Sequence, residues 1–231
     1  MEDIVQFDFP TDSPKIIKVI GVGGGGGNAV NHMYHQGIGG VSFVLCNTDA
    51  QALRNSPVPV KVQLGAKGEG AGNIPEVAKK LAEESAAEVE ALFDDNTRMA
   101  FITAGMGGGT GTGAAPVVAR IAKEKGVLTV GIVTIPFLFE GEPKILQAFA
   151  GVEEMRKHVD ALLVINNERL CKIYPDLSWT TAFAKADDSL SNAARSIAEL
   201  VSKDGKINLD FADVRTTLKD GGAAVISTGS G

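Results

Sequence analysis

The chain has 231 residues, 44% of them hydrophobic and 22% charged, which is enough apolar material for a full α/β core and carries no bias toward disorder. Twenty-eight acidic against 22 basic side chains give a formal net charge of −6 without any Lys/Arg cluster, which argues against a nucleic-acid surface. No apolar stretch approaches the roughly 20 residues that span a bilayer, and the acidic start Met1 to Asp8 is unlike a basic leader, so neither membrane insertion nor secretion is indicated. The two cysteines, Cys46 and Cys171, lack CxxC spacing and read as reduced core thiols of a cytosolic protein.

In chain order, residues 1–15 are expected to be a flexible N-terminal segment. A strand over Ile16 to Val22 overlaps the turn Gly21-Val-Gly-Gly-Gly-Gly-Gly27, and a helix is expected to start at Asn28-Ala-Val-Asn-His-Met33. Strands follow at Val41 to Cys46 and Val60 to Leu64. One amphipathic helix is predicted from Pro75 to Phe93, with Pro at its first turn and Val77, Leu81, Val89, Leu92 and Phe93 on a shared face. Met99 to Ala104 is the next strand; it feeds Gly105-Met-Gly-Gly-Gly-Thr-Gly-Thr-Gly113 and then a helix over Ala114 to Lys125. Leu128 to Ile135 and Ala161 to Ile165 complete the buried strands. A long helix spans Thr180 to Lys203, with Phe183, Ala186, Leu190, Ala194, Ile197 and Val201 on its apolar face. A polar loop from Asp204 to Asp213, a short helix to Lys219 and a strand-like run from Ala223 to Ser227 end the chain, and that last run is expected to begin another sheet. The alternation of short strands and helices predicts an α/β fold, a doubly wound, mostly parallel sheet with helices on both faces.

A strand feeding a glycine turn feeding a helix is a phosphate cradle. Glycines let backbone N–H groups converge on an anion, the helix start adds about half a positive charge, and Thr110 and Thr112 can donate hydroxyl hydrogen bonds. Two such turns on strand ends lie along one carboxyl edge of a parallel sheet and can face one polyphosphate, which points to a nucleotide. Gly21 to Gly26 also fits the GxGxxG pattern of NAD-binding folds, with Asp49 near the position of an acidic ribose ligand. That alternative leaves Gly107 to Gly113 and Asn208 to Asp213 without a role. His32, His35 and His158 show no metal-ligand arrangement, Trp179 and Phe211 read as packing, and Glu83 to Glu90 reads as a solvated helix face. The nucleotide half offers no hydrolytic base beside the phosphates. The acids Asp210 and Asp213 follow the long helix, which at 1.5 Å per residue separates them from the glycine turns by roughly 30 Å.

Taken together, GGGTGTG at Gly107 to Gly113, GVGGGGGNAV at Gly21 to Val30, NTDAQAL at Asn47 to Leu53, FEG at Phe139 to Gly141 and NLDFADVRT at Asn208 to Thr216 resemble the tubulin superfamily, in its bacterial cell-division branch. The resemblance runs from about Ile16 to the last residue. It implies a Rossmann-like GTP-binding domain over 16–179, a central helix over 180–203, and over 204–231 a catalytic loop, a short helix and the first strand of a second domain. It places the nucleotide on Gly23, Gly24, Gly25, Gly26, Gly27 and Asn28, on Asn47 and Asp49, on Ala71 and Gly72, and on Gly107, Gly108, Gly109, Thr110, Gly111, Thr112 and Gly113. Glu140 and Lys144 would meet the ribose, Asn167 and Asp188 the base, and Phe183 would pack on its ring. An ionised carboxylate at Asp188 accepts both the N1–H and the exocyclic amino group of guanine, which favours GTP/GDP over adenine nucleotides.

The implied activity is GTP hydrolysis with Mg²⁺ held through the nucleotide phosphates. Asp210 and Asp213, assisted by Asn208, would act on the GTP of the next subunit in a head-to-tail homopolymer. Cytoplasmic filaments at the mid-cell division ring, and adaptors reached through a C-terminal tail, belong to the same implication. A regulator that holds GTP without hydrolysing it is the binding-class alternative. The chain departs from the common pattern at three points: Lys144 stands where Arg is usual, GAGANPE has become Gly70-Ala-Gly-Asn-Ile-Pro-Glu76, and an Asn-Asp pair has become Asp187-Asp188.

Overall fold

The computed structural model describes residues 15–174, 176, 178–202 and 211–223. Residues 1–14, the loop residues Asn208 and Asp210, and the run from 224 onward lie outside the described residues. The strands are β1 (Ile17–Val22), β2 (Val41–Asn47), β3 (Val60–Gln63), β4 (Met99–Gly105), β5 (Leu128–Ile135), β6 (Ala161–Asn166) and β7 (Gly222–Ala223). All pair in parallel, in the order β3-β2-β1-β4-β5-β6-β7. The helices are α1 (Gly23–His35), α2 (Ala50–Arg54), α3 (Pro75–Glu84), α4 (Ala86–Ala91), α5 (Gly109–Glu124), α6 (Glu142–Arg156), α7 (Glu168–Ile173), α8 (Trp179–Ser202) and α9 (Phe211–Leu218).

Alternate strand residues supply two cores because successive side chains leave a strand on opposite faces. Val19, Phe101 and Val130 pack with Met33 of α1, Leu190 of α8 and Phe211 of α9 on one face. Ile20, Ile102 and Val133 pack with Ala82, Val118 and Met155 of α3, α5 and α6 on the other. Burial on both faces is why these strands read as unbroken apolar runs. The two central strands, β1 and β4, are neighbours, and the helices that follow them leave to opposite faces. A crevice opens at such a switch of winding, outside the carboxyl ends of the strands.

Several expectations need correcting. Both glycine-rich helices begin earlier than predicted, at Gly23 and Gly109, so the glycines form their first turns. The helix expected from Pro75 to Phe93 is broken at Ser85, whose hydroxyl accepts the buried Gly65 N–H at 2.8 Å. Its buried face is also displaced: Ala78 and Ala82 are inside while Val77 is exposed. The cause is close packing on α5, where a Cβ added at Gly113 would sit 1.9 Å from the Pro75 carbonyl oxygen, so that only small residues fit between the helices. On α8 the inward residues are Ala182, Ala186, Leu190, Ala193 and Ala194, and Phe183 is turned outward. Gly222 and Ala223 pair in parallel with β6, and the remainder of the strand-like run expected from Ala223 to Ser227 lies outside the described residues. Cys46 is buried and its thiol is pushed up to about 12 by burial, whereas Cys171 is only half-buried.

Candidate functional site

The starts of α1 and α5 meet at the carboxyl ends of β1 and β4. A Cβ on Gly23 would lie 2.8 Å from the Gly111 nitrogen, and one on Gly25 would lie 3.1 Å from the Gly105 Cα. Gly26 approaches the Thr103 carbonyl and Gly111 the Gly105 carbonyl so closely that an added Cβ would stand 2.2 Å from each oxygen. Glycine is therefore demanded by backbone packing at Gly23, Gly26 and Gly111, while Gly25 is closely packed. Gly24 is different: nothing lies within 4 Å of where its Cβ would be, so it faces open space.

Neither helix start has a side-chain cap or an acidic residue in its first turn. The first N–H groups of each helix have no intrahelical acceptor, and two uncapped starts side by side form a site for an external anion. The neighbouring α2 behaves in the opposite way, since Asp49 caps it by accepting the N–H groups of Gln51 (2.8 Å) and Ala52 (3.3 Å). Asn47 accepts the Asp49 N–H at 3.2 Å, so both residues shape this corner through local hydrogen bonds. The Thr48 and Thr110 hydroxyls are 2.7 Å apart and join the end of β2 to the first turn of α5.

The 70–74 loop lies alongside. The Gly70 N–H donates to the Thr48 carbonyl, and the Ile74 N–H to that of Ala71. Between Ala71 and Ile74 the two central residues have positive φ, 58° at Gly72 and 63° at Asn73, the signature of a type I′ turn. Asparagine is among the few non-glycine residues that adopt such a backbone readily, which accounts for its place in this loop. A Cβ on Gly109 would fall 2.9 Å from the Ile74 nitrogen and 3.1 Å from Ala71 Cβ, so the loop abuts the start of α5. Thr112, expected as a hydroxyl donor, is buried and accepts the Gly107 N–H at 2.9 Å; it closes the turn from inside. Exposed Asn28 and half-buried Gly27 complete the first turns of α1, and Gly108 stands just before α5.

Further along the same edge, Glu140 follows β5 and accepts the Phe137 N–H at 3.0 Å, while Lys144 reaches its other oxygen at 3.3 Å. Phe137 and Phe139 stack at 4.9 Å, and Phe183 meets Phe137 edge-on at 5.3 Å. Phe183 is 43% exposed and so keeps part of its ring free beside the site. Asn167 follows β6; it is buried, and its Oδ1 has no hydrogen-bond partner among the described residues. An orphaned buried acceptor costs about 1–3 kcal/mol, which a ligand donor would recover. Asp188 of α8 lies 2.9 Å from His32 Nε2 and 3.5 Å from Lys185 Nζ. Burial, and then the neighbouring Asp188 charge, push the Asp187 carboxyl up to about 6.

Asp213 sits apart from all of these. It is exposed in the first turn of α9, and α9 packs at the amino edge of the sheet, where Phe211 is buried beneath the Arg98 guanidinium at 4.3 Å. The 24 residues of α8 span about 36 Å and separate the two edges. Two residues escaped notice in the sequence: Thr48, and Gln147 of α6, whose amide nitrogen lies 3.1 Å from the carbonyls of both Gly107 and Gly108. No local pattern marks either one. A groove of about 480 Å³ lies between α3, α5 and α6, and its lining includes Thr112 and Gln147.

An α/β domain in order 3-2-1-4-5-6, with two uncapped glycine helix starts facing each other at its switch point, has the architecture of a nucleotide-binding domain. Residues 16–175 match the model of the Tubulin/FtsZ family, GTPase domain. Cell division protein FtsZ of Porphyromonas gingivalis is 65% identical over the whole chain, which covers 52% of that protein. The Pseudomonas putida FtsZ is 51% identical over 97% of the chain and 58% of its own length. An empty FtsZ dimer of M. jannaschii superposes with a TM-score of 0.87 at 44% identity, over 93% of this chain and 63% of that one. The chain belongs to the Tubulin/FtsZ family and carries its GTPase domain, which removes the NAD-type alternative. It spans about half the length of the curated relatives it matches.

Proposed function

We propose that the chain is the guanine-nucleotide half of a GTP-hydrolysing cytoskeletal protein that assembles head to tail into the filaments of the bacterial division ring. The observation that carries this is the separation of two edges. The crevice lies at the carboxyl edge, and the exposed Asp213 lies at the amino edge. One chain cannot bring them together, but a neighbour stacked on it can, and a heterologous contact of this kind propagates into a filament. Large apolar side chains left exposed beside the crevice, Leu138 (64%), Leu146 (61%) and Phe149 (51%), fit a surface that a second subunit covers.

In this scheme the α1 and α5 starts and the 70–74 turn bind the phosphates, and Phe183 packs on the base. Asp188 accepts the two guanine donors, and the vacant Asn167 Oδ1 takes a further ligand hydrogen. Asp210 and Asp213, with Asn208, orient water on the neighbour's GTP. Among the described residues no group of three or more His, Cys, Asp or Glu could hold a metal, so Mg²⁺ would take its ligands from phosphates and water. When bound, that ion supplies charge neutralisation at the phosphate oxygens. No described helix is long and apolar enough to cross a membrane; adaptors reached through a C-terminal tail belong to the same proposal.

Calorimetric titration of the chain with GDP, ADP and NADH tests the site, and GTP turnover of the full-length protein across protein concentration tests the assembly. Selective GDP binding and turnover per subunit that rises with concentration are expected. GDP binding with turnover independent of concentration would leave a nucleotide-binding protein whose site is not completed by a neighbour.

A further inference from the structure

Gln147 lies outside every motif of the sequence, yet its amide end touches the phosphate cradle from behind. The nitrogen is 3.1 Å from the Gly107 carbonyl oxygen, 3.1 Å from that of Gly108 and 3.4 Å from that of Asn73. Three carbonyls around one terminal atom identify it as the NH₂ group, since an amide oxygen there would face only acceptors. The α6 backbone also presses on this turn. Gly107 has φ +97°, and a Cβ on it would stand 2.8 Å from the Lys144 carbonyl oxygen.

In a planar trans peptide the C=O and N–H point in opposite directions. The Gly107 carbonyl shares its peptide with the Gly108 N–H, and the Gly108 carbonyl shares its peptide with the Gly109 N–H. Holding both carbonyls toward α6 therefore turns both N–H groups away from it. Glycine peptides reorient easily, so an unheld Gly107-Gly108-Gly109 segment would present carbonyl oxygens to an anion part of the time. The Gly107 N–H takes no part, because Thr112 accepts it. We propose that Gln147 is a positioning residue for the nucleotide's phosphate groups: it locks the Gly108 and Gly109 peptides with their N–H groups facing the ligand. It also ties the 70–74 turn to α5 through Asn73. This rests on the phosphate-binding role proposed above for the α5 start.

The test compares GDP with guanosine, measured by calorimetry on the chain and on Gln147→Met, which keeps the length of the side chain but has no N–H. GDP binding is expected to weaken by about tenfold, the value of one good hydrogen bond, while guanosine binding stays the same. A purely structural role would weaken both ligands together, and that result overturns the inference, as does unchanged GDP affinity. A second measurement needs no variant. In the wild-type chain, GDP should slow amide exchange at Gly108 and Gly109 and leave Gly107 unaffected; protection at Gly107 without protection at the other two would also overturn it. Absence of GDP binding by the wild-type chain would overturn the phosphate-site proposal as well, whereas the preceding outcomes overturn the role of Gln147 alone.

Discussion

Two glycines two residues apart in a single motif do different things. Gly26 is needed for packing, since a methyl group there would stand 2.2 Å from a β4 carbonyl oxygen, whereas Gly24 faces open space. Gly26→Ala should therefore cost about 1–3 kcal/mol of stability through overpacking. Gly24→Ala should leave stability within about 0.5 kcal/mol and weaken GDP by placing a methyl group where the anion approaches. Chemical denaturation beside GDP titration separates the two; equal stability losses would mean that α1 does not sit against β4 as described. Asp187 gives a second prediction at this scale. Its folded carboxyl is raised to about 6 from a usual value of 3.8. Between about pH 4 and pH 6 the folded chain therefore keeps a proton that the unfolded chain has released. Stability from this group is fully present below pH 4 and falls as pH rises through 6. Asp187→Asn should remove that fall and stabilise the chain at pH 7, as read from denaturation midpoints at pH 4, 5, 6 and 7. A profile identical to wild type would show that Asp187 titrates normally.

The break between α3 and α4 depends on one long-range hydrogen bond. Ser85→Ala leaves the buried Gly65 N–H without a partner and should cost about 1–3 kcal/mol; a loss below about 0.5 kcal/mol would mean that water or a backbone shift replaces the hydroxyl. This break was not legible in the sequence, because Gly65 is twenty residues away from Ser85 and Ser is tolerated inside helices. The strands β1, β2, β4 and β5 were legible because both of their faces are buried, so each reads as an apolar run bounded by glycine or polar residues. Glycine turns were legible as turns, but the extent of the helices was not, because glycine's low helix propensity hid first turns that tertiary packing enforces. The inward face of α3 was misread by one position because small residues, not large ones, allow its approach to α5. Of the site, the residues carried by contiguous motifs could be found. Thr48 and Gln147 could not, since their contacts, to Thr110 and to Gly107, join segments 62 and 40 residues apart.

At the scale of the whole molecule, the sheet has the crevice at one edge and the Asp213 helix at the other, so under the proposed function a subunit acting alone holds half of two different sites. That arrangement separates catalysis in trans from catalysis in cis by complementation. On the proposed roles, Asp213→Ala in the full-length protein would keep an intact crevice but present a defective loop, and Asp188→Ala would keep an intact loop beside a crevice without its guanine acceptor. Each variant alone should turn over GTP slowly, and Asp213→Ala should bind GDP as tightly as wild type. Mixed, they form contacts in which an intact loop covers an intact crevice, and turnover should reappear. Catalysis within one chain predicts the opposite, because no subunit in the mixture carries both intact parts. Steady-state GTP turnover of the mixture against each variant at the same total concentration decides the matter, and no recovery at any mixing ratio would place the catalytic acids elsewhere.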